Sequence, residues 1–224
     1  MKRVLGFLCA MLLVLTALGN AQAVPLAALF DGGTITIGDK IFADWEPLFL
    51  DFSAPEGPDF SLIEVTPLGD PPFNPGLLFE TDQELTVTDF DFIRFDLGFS
   101  VAALSGIPLI KDNSIELLDG AVGGEGLVSV MEDVYDPAGN LLAVKEVFAD
   151  SALQELVLFD EADFPPQAQI FVEKSISLFG FGDGDLASLT AFNQRFSQVS
   201  EPATLLLVGT GLLGLAWFRR KFKS

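Results

Sequence analysis

Histidine is absent from the chain, and its 224 residues include a single cysteine, Cys9. Catalytic systems that need an imidazole, such as a Ser-His-Asp triad or a Cys-His pair, are therefore excluded. A zinc site built from histidine and cysteine is excluded for the same reason. One cysteine also leaves no intramolecular disulfide, so the burial of apolar surface has to stabilise any domain that the chain forms.

Basic residues are also scarce. The chain has 12 Lys and Arg against 32 Asp and Glu, which gives a formal net charge of -20. Residues 24–199 contain every acidic residue except Glu201, but only six basic ones: Lys40, Arg94, Lys111, Lys145, Lys174 and Arg195. Such a charge repels phosphate backbones and anionic headgroups, so we expect no nucleic-acid partner.

The first 23 residues have the layout of a secretory signal peptide. Lys2 and Arg3 precede an apolar run from Val4 to Leu18, and Ala21 and Ala23 supply the small residues that signal peptidase requires. We expect cleavage after Ala23 and export by the Sec route. The alternative, a permanent membrane anchor, needs a longer apolar run without a cleavage pattern.

The other end carries a second apolar segment. Residues 203–218 contain no charge, and Arg219, Arg220, Lys221 and Lys223 follow at once. As a helix this segment would measure roughly 24 Å, which predicts a transmembrane helix with its basic end in the cytoplasm. It contains GTGLLG, residues 209–214, which matches G-x-G-x-x-G in spacing. The motif lacks the acidic residue about 20 positions later that a dinucleotide site needs, so we interpret these glycines as helix-packing residues.

The apolar span is preceded by a short motif and followed by basic residues. The motif is Ser200, Glu201, Pro202, Ala203 and Thr204, and Arg219, Arg220 and Lys221 form the topology anchor after the span. This order of features resembles a PEP-CTERM sorting signal, a tail that some ice-binding proteins also carry. The resemblance implies an exosortase, a membrane cysteine protease-transpeptidase, as a partner beside signal peptidase. It also implies a Gram-negative-type envelope and an association with exopolysaccharide. The family has proline where this chain has Ser200, which leaves the efficiency of processing open, and a plain membrane anchor is the alternative.

Residues 24–199 predict an acidic all-β domain, a single antiparallel β-sandwich of jelly-roll or immunoglobulin-like topology. In QIFVEKSISLF, residues 169–179, apolar side chains alternate with polar ones, and Lys174 is the only interruption on the apolar face. Residues 136–140, DPAGN, predict a hairpin turn. Residues 84–101 predict one long strand with a bulge near Phe92, and residues 185–196 could form a short helix. Parts of this region, residues 32–45, 73–79 and 172–180, also resemble uncharacterised exported domains. The family resemblance favours a last strand over residues 185–196.

Little in this domain predicts chemistry. Asp183 and Asp185, and also Asp89 and Asp91, are weak calcium candidates because carboxylate oxygens suit hard cations, but neither pair fits an EF-hand. Otherwise we expect neither a metal nor a cofactor. The sequence therefore predicts a non-enzymatic surface or matrix protein, membrane-anchored until processing. A polysaccharide- or calcium-binding module and a carboxylate-based glycoside hydrolase are the alternatives.

Overall fold

The computed structural model describes residues 22–53, 56–70, 74–104 and 109–198. Their elements are β1 (Val24–Pro25), α1 (Leu26–Phe30), β2 (Ile35–Ile37), β3 (Lys40–Phe52), β4 (Glu64–Leu68), β5 (Gly76–Glu80), β6 (Thr86–Thr88), β7 (Phe92–Ala103), β8 (Ile110–Gly123), β9 (Leu127–Tyr135), β10 (Leu141–Asp150), β11 (Glu155–Val157), β12 (Phe159–Gln167), β13 (Gln169–Phe179) and β14 (Leu186–Gln198).

Two seven-stranded antiparallel sheets pack face to face, which confirms the predicted β-sandwich. Sheet A has the order β1-β4-β5-β14-β8-β12, with β6 also paired to β14. Sheet B has the order β11-β10-β9-β13-β7-β3-β2. Neighbours in each sheet are often distant in sequence, so the chain crosses repeatedly between the two layers. The expected N-terminal signal peptide up to Ala21 and the expected C-terminal helix lie outside the described residues.

Aromatic and aliphatic side chains fill the space between the sheets. Trp45 stacks on Phe99 with ring centroids 4.4 Å apart, and Phe79 stacks on Phe192 at 4.5 Å. Each of these four side chains is at most 5% exposed. Seven phenylalanines are buried in this core, while six others of the described residues are exposed. The domain is held together by burial without a disulfide.

The alternation in residues 169–179 is confirmed by β13, whose apolar side chains at every second position are buried. Lys174 lies on this inward face and is 0% exposed. The predicted hairpin is also confirmed, since β9 and β10 pair in antiparallel register around residues 136–140. Asp136 Oδ1 accepts hydrogen bonds from the backbone N–H groups of Ala138 and Asn140 at 2.8 and 2.9 Å, which fixes the turn.

The prediction of one long strand over residues 84–101 is wrong. The chain forms β6 against β14 in sheet A, turns at residues 89–91, and continues as β7 in sheet B. Asp89 adopts a φ of 59° at this turn. The slip in the apolar pattern near Phe92 therefore marks a crossing from one sheet to the other, because the inward face changes when the chain changes layer.

Residues 186–198 form the central strand β14, so the last-strand alternative for residues 185–196 is confirmed. The one helix among the described residues, α1, follows Pro25 and buries Leu26 and Leu29. It ends before Gly32, which has a φ of 91°. A side chain at this φ is strained, so the glycine allows the chain to turn back toward the sandwich.

Candidate functional site

The sorting residues of the sequence prediction lie outside the described part of the chain: Ser200, Glu201, Pro202, Ala203 and Thr204, with Arg219, Arg220 and Lys221. Of the two expected signal-peptidase residues, Ala23 is described and stands directly before β1. Among residues 22–198, as far as they are described, no helix is long and apolar enough to cross a membrane.

The weak calcium candidates Asp183 and Asp185 lie on the loop between β13 and β14. Asp185 is 6% exposed, and its oxygens accept hydrogen bonds from the backbone N–H groups of Glu125 and Phe181, both at 2.9 Å. These two hydrogen bonds stabilise the charged carboxylate and hold the pKa of Asp185 below its ordinary value. The bond from Glu125 has the larger effect, followed by the bond from Phe181. Asp183 is exposed and does not join this arrangement. Asp185 thus ties two loops together.

Asp89 and Asp91, the second pair of calcium candidates, also accept hydrogen bonds from other loops. Asp89 Oδ1 accepts a hydrogen bond from Gly184 N–H at 2.7 Å, and Asp91 Oδ1 accepts one from Ser53 Oγ at 2.9 Å. Within the described ranges no three acidic side chains converge in a way that could hold a metal ion. The acids of these loops therefore act as hydrogen-bond acceptors for neighbouring loops.

A cleft of about 520 Å³ lies beside the start of the domain, on sheet A. Glu64, Glu80, Asp82 and Asp119 line it together with Ala23. Glu64 and Glu80 stand directly opposite each other in the β4–β5 ladder. A glycoside hydrolase needs two carboxylates that flank the scissile bond, whereas these two side chains are neighbours on one face of the sheet. Because their meeting depends on strand register, the sequence did not single them out.

The outer face of sheet B carries a row of stacked rings, Phe92, Phe179 and Phe181, which we call the aromatic row. Successive ring centroids are 6.0 and 5.8 Å apart, and Phe181 is 51% exposed. Next to this row in the ladder, Arg94 is exposed and pairs in register with Ser177, and its guanidinium lies 5.7 Å from the ring of Phe49. The face therefore combines apolar rings with hydrogen-bond donors.

A smaller acidic groove lies further along the same face of sheet B, lined by Asp96, Asp133 and Glu173. Tyr135 donates a hydrogen bond from its hydroxyl to Asp133 Oδ2 at 3.3 Å. Partial burial, together with the charges of Asp133 and Glu173, raises the pKa of Tyr135. Tyr135 is thus held neutral beside the acids, and it is the one tyrosine of the chain.

The sandwich interior contains an unusual group of polar side chains, which we call the buried cluster: Asn113, Glu132, Lys145 and Lys174. All four are at most 1% exposed. Asn113 comes from β8 in sheet A, and the other three come from β9, β10 and β13 in sheet B. The cluster therefore bridges the two layers at a place where apolar contacts would be expected.

Glu132 is the centre of this cluster. Its Oε1 lies 2.9 Å from Lys145 Nζ and also accepts a hydrogen bond from Asn113 Nδ2, while its Oε2 pairs with Lys174 Nζ. Burial by itself would raise the pKa of Glu132, but the charges of Lys174 and Lys145 outweigh it and hold that pKa below its ordinary value. Burial lowers the pKa of Lys174, and Glu132 offsets this only in part.

The sequence singled out only Lys174 from this cluster. A signal for two other members was available, because Glu132 interrupts an alternating apolar face between Val130 and Val134, and Lys145 does the same between Ala143 and Val147. Charged residues at inward positions of three strands indicate a buried ionic group. The partner from the other sheet could not be inferred in this way.

Comparison with known proteins decides the nature of the C-terminal segment. Residues 198–221 match the family model described as the PEP-CTERM protein-sorting motif. The chain carries a PEP-CTERM sorting motif. The PEP-CTERM segment begins where β14 ends, at Gln198, so the motif directly follows the central strand of sheet A. The comparison with curated proteins found no match.

Several solved structures resemble the β domain. TmCBM61, a structure in complex with beta-1,4-galactotriose, is 15% identical, with 67% of this chain and 87% of that chain covered and a TM-score of 0.28. The mannan-recognising carbohydrate-binding module TmCBM27 is 12% identical, with 70% and 90% covered and a TM-score of 0.29. A DUF4465 family protein from Bacteroides caccae is 12% identical, with 64% and 91% covered and a TM-score of 0.23. At these values, what the neighbours bind does not carry over to this chain.

Proposed function

We propose that this chain is an exported envelope protein that an exosortase sorts through its PEP-CTERM segment, and that the β-sandwich has a non-enzymatic structural or interaction role. The observation that carries the proposal is the match of residues 198–221 to the sorting motif, immediately after a complete antiparallel sandwich. Signal peptidase removes residues 1–23, and the basic residues after the apolar span keep the tail in the membrane until the exosortase acts.

The sorting motif can be tested with a double substitution, Glu201→Ala with Pro202→Ala. We expect full-length protein to accumulate in the membrane fraction, because the exosortase no longer recognises the tail while the apolar span still anchors it. The chain supplies a matched control in Glu46 and Pro47, a second Glu-Pro pair that is exposed on β3. The corresponding double alanine variant at that pair should be processed normally. Unchanged processing of the motif variant would refute exosortase sorting.

Ser200 provides a second test of the same step. The family motif begins with proline at this position, so Ser200→Pro restores the full pattern. A pulse-chase comparison should show processing that is at least as fast as in the parent chain. Slower processing would mean that the segment is not read as this motif.

A second candidate function is polysaccharide binding through the aromatic row. Flat rings stack on the apolar faces of sugars, and Arg94 and Ser177 provide hydrogen-bonding groups for the hydroxyls beside them. Against the host's purified exopolysaccharide, Phe181→Ala should weaken binding measured by affinity electrophoresis. Phe90→Ala is the control, since Phe90 is 66% exposed but not part of the stacked rings. Equal retardation of both variants and the parent would exclude this surface.

A further inference from the structure

Three members of the buried cluster belong to different strands and have complementary chemistry. Lys145 carries an amine, Asn113 a carboxamide and Glu132 a carboxylate. Lys145 Nζ lies 2.5 Å from Asn113 Oδ1, so it stands next to the amide carbon Cγ. Glu132 Oε1 is 2.9 Å from the same Nζ and accepts the hydrogen bond of Asn113 Nδ2. One oxygen of Glu132 thus touches both the nitrogen that could attack and the nitrogen that could leave.

We propose that Lys145 and Asn113 react to form an intramolecular isopeptide bond, with Glu132 as the group that transfers the proton. The carboxylate of Glu132 takes a proton from the Lys145 ammonium, and the free amine attacks Asn113 Cγ. The new N–Cγ bond forms while the Cγ–Nδ2 bond breaks, and the leaving nitrogen departs as ammonia after protonation through Glu132. The sum is one ammonium and one carboxamide converted to one secondary amide and one ammonium ion, without oxidation or reduction.

The folded structure favours this reaction in ways that bulk water does not. Folding holds the amine beside the amide carbon, and effective molarities of about 10⁵–10⁸ M are typical of well-oriented intramolecular reactions. The three side chains are at most 1% exposed, so water does not compete with the amine as a nucleophile. Glu132 Oε1 lies within hydrogen-bonding distance of both nitrogens, so a proton can pass from Lys145 to the leaving group through one side chain.

Lys174 occupies the other oxygen of Glu132 and lies 5.5 Å above the ring of Phe192. Its observed cluster partner is Glu132, whereas Lys145 also contacts the amide of Asn113. We therefore assign Lys174 as a positioning residue that orients the carboxylate, and Lys145 as the nucleophile. The resulting bond would join β8 of sheet A to β10 of sheet B, across 32 positions of sequence. It would give a cysteine-free exported domain a covalent link between its two layers.

Mass spectrometry of the full chain, purified from its host, tests the proposal directly. After correction for the observed termini, the mass should fall short of the sequence mass by about 17 Da, one ammonia. Digestion should release one branched peptide that contains both Lys145 and Asn113. A mass equal to that of the sequence, with the two peptides recovered separately, would overturn the proposal.

Variants assign the roles. Lys145→Met, Asn113→Ala and Glu132→Gln should each restore the full mass. The mass is compared only among variants that still unfold cooperatively, because a variant that does not fold would lack the bond whatever the role of the replaced residue. Two controls should keep the shortfall. Asn193→Ala changes a buried asparagine that donates to Glu116 Oε2 at 2.8 Å with no lysine in the pair. Lys40→Met changes a buried lysine that pairs with Asp39. Loss of the shortfall in either control would argue against a bond specific to Lys145 and Asn113.

Discussion

Removal of the negative charge at Glu132 should destabilise the domain strongly, because this carboxylate contacts two buried lysines. Glu132→Gln preserves the size of the side chain but leaves Lys145 and Lys174 buried without their counter-charge. Breaking a buried ion pair from one side costs about 3–5 kcal/mol, because the remaining charge is uncompensated. Since a whole domain is stable by only about 5–15 kcal/mol, the variant should lose a large share of its stability.

Urea unfolding of the processed protein measures this loss through the fluorescence of Trp45, which is the only tryptophan of residues 24–199. Trp45 is 5% exposed and stacked on Phe99, so its emission reports on the sandwich core. With a urea dependence of about 1–3 kcal/mol per molar, we expect the midpoint to fall by about 2 M. This figure counts the charge effect alone, and loss of the proposed Lys145–Asn113 bond would add to it.

Two further variants make the measurement specific. Glu116→Gln is the matched control, because Glu116 is a partly buried glutamate that accepts from Asn193 without a lysine partner, and it should shift the midpoint far less. Replacing the whole buried cluster by apolar residues should recover most of the stability that Glu132→Gln loses through uncompensated charge, since apolar side chains of similar size fill the space without charge. A Glu132→Gln midpoint within error of the parent would refute the buried ionic network.

The remaining predictions concern the pH dependence of stability, the hydrogen bonds of Asp185 and the packing of Gly126. Burial lowers the pKa of Lys174 in the folded protein. Between that pKa and the ordinary lysine value, the unfolded chain therefore binds more protons than the folded one. The free energy of unfolding should rise with pH across this window. In Lys174→Met, the urea midpoint should rise less between about pH 7 and pH 10 than it does in the parent protein. Asp185→Ala should speed hydrogen exchange at the N–H groups of Glu125 and Phe181, because their acceptor is removed. Unchanged protection would disprove that Asp185 connects the two loops. Gly126→Ala should lower the melting temperature, because its Cβ would overlap a carbonyl oxygen; an unaltered melting temperature would contradict this packing.

Local patterns in the sequence predicted individual strands well but not their partners. The alternation in residues 169–179 depends only on one strand having a buried face, so it could be read directly. The break between β6 and β7 was visible as a slip in that alternation. Its interpretation as a bulge failed because a bulge and a crossing between sheets change the inward face in the same way. The helix α1 was missed because five residues are too few to show a helical period.

The candidate sites show the same difference between contiguous sequence patterns, which could be predicted, and contacts between distant strands, which could not. The sorting tail could be recognised because such a signal is a contiguous stretch of sequence, and the family model matches residues 198–221. The buried cluster could not, because Asn113 and Lys145 lie in different sheets and meet only through the packing of the two layers. The aromatic row likewise exists only in the register that places Phe179 opposite Phe92. Register and sheet packing depend on the whole domain, and no short segment encodes them.

The state of both termini in protein recovered from outside the cell tests export and sorting most directly. Peptide mapping by mass spectrometry should find a mature N-terminus at Val24 and no peptides from the apolar span that follows the PEP-CTERM motif. An intact chain in the cytosol, with its first 23 residues and residues 203–223 still attached, would contradict the account.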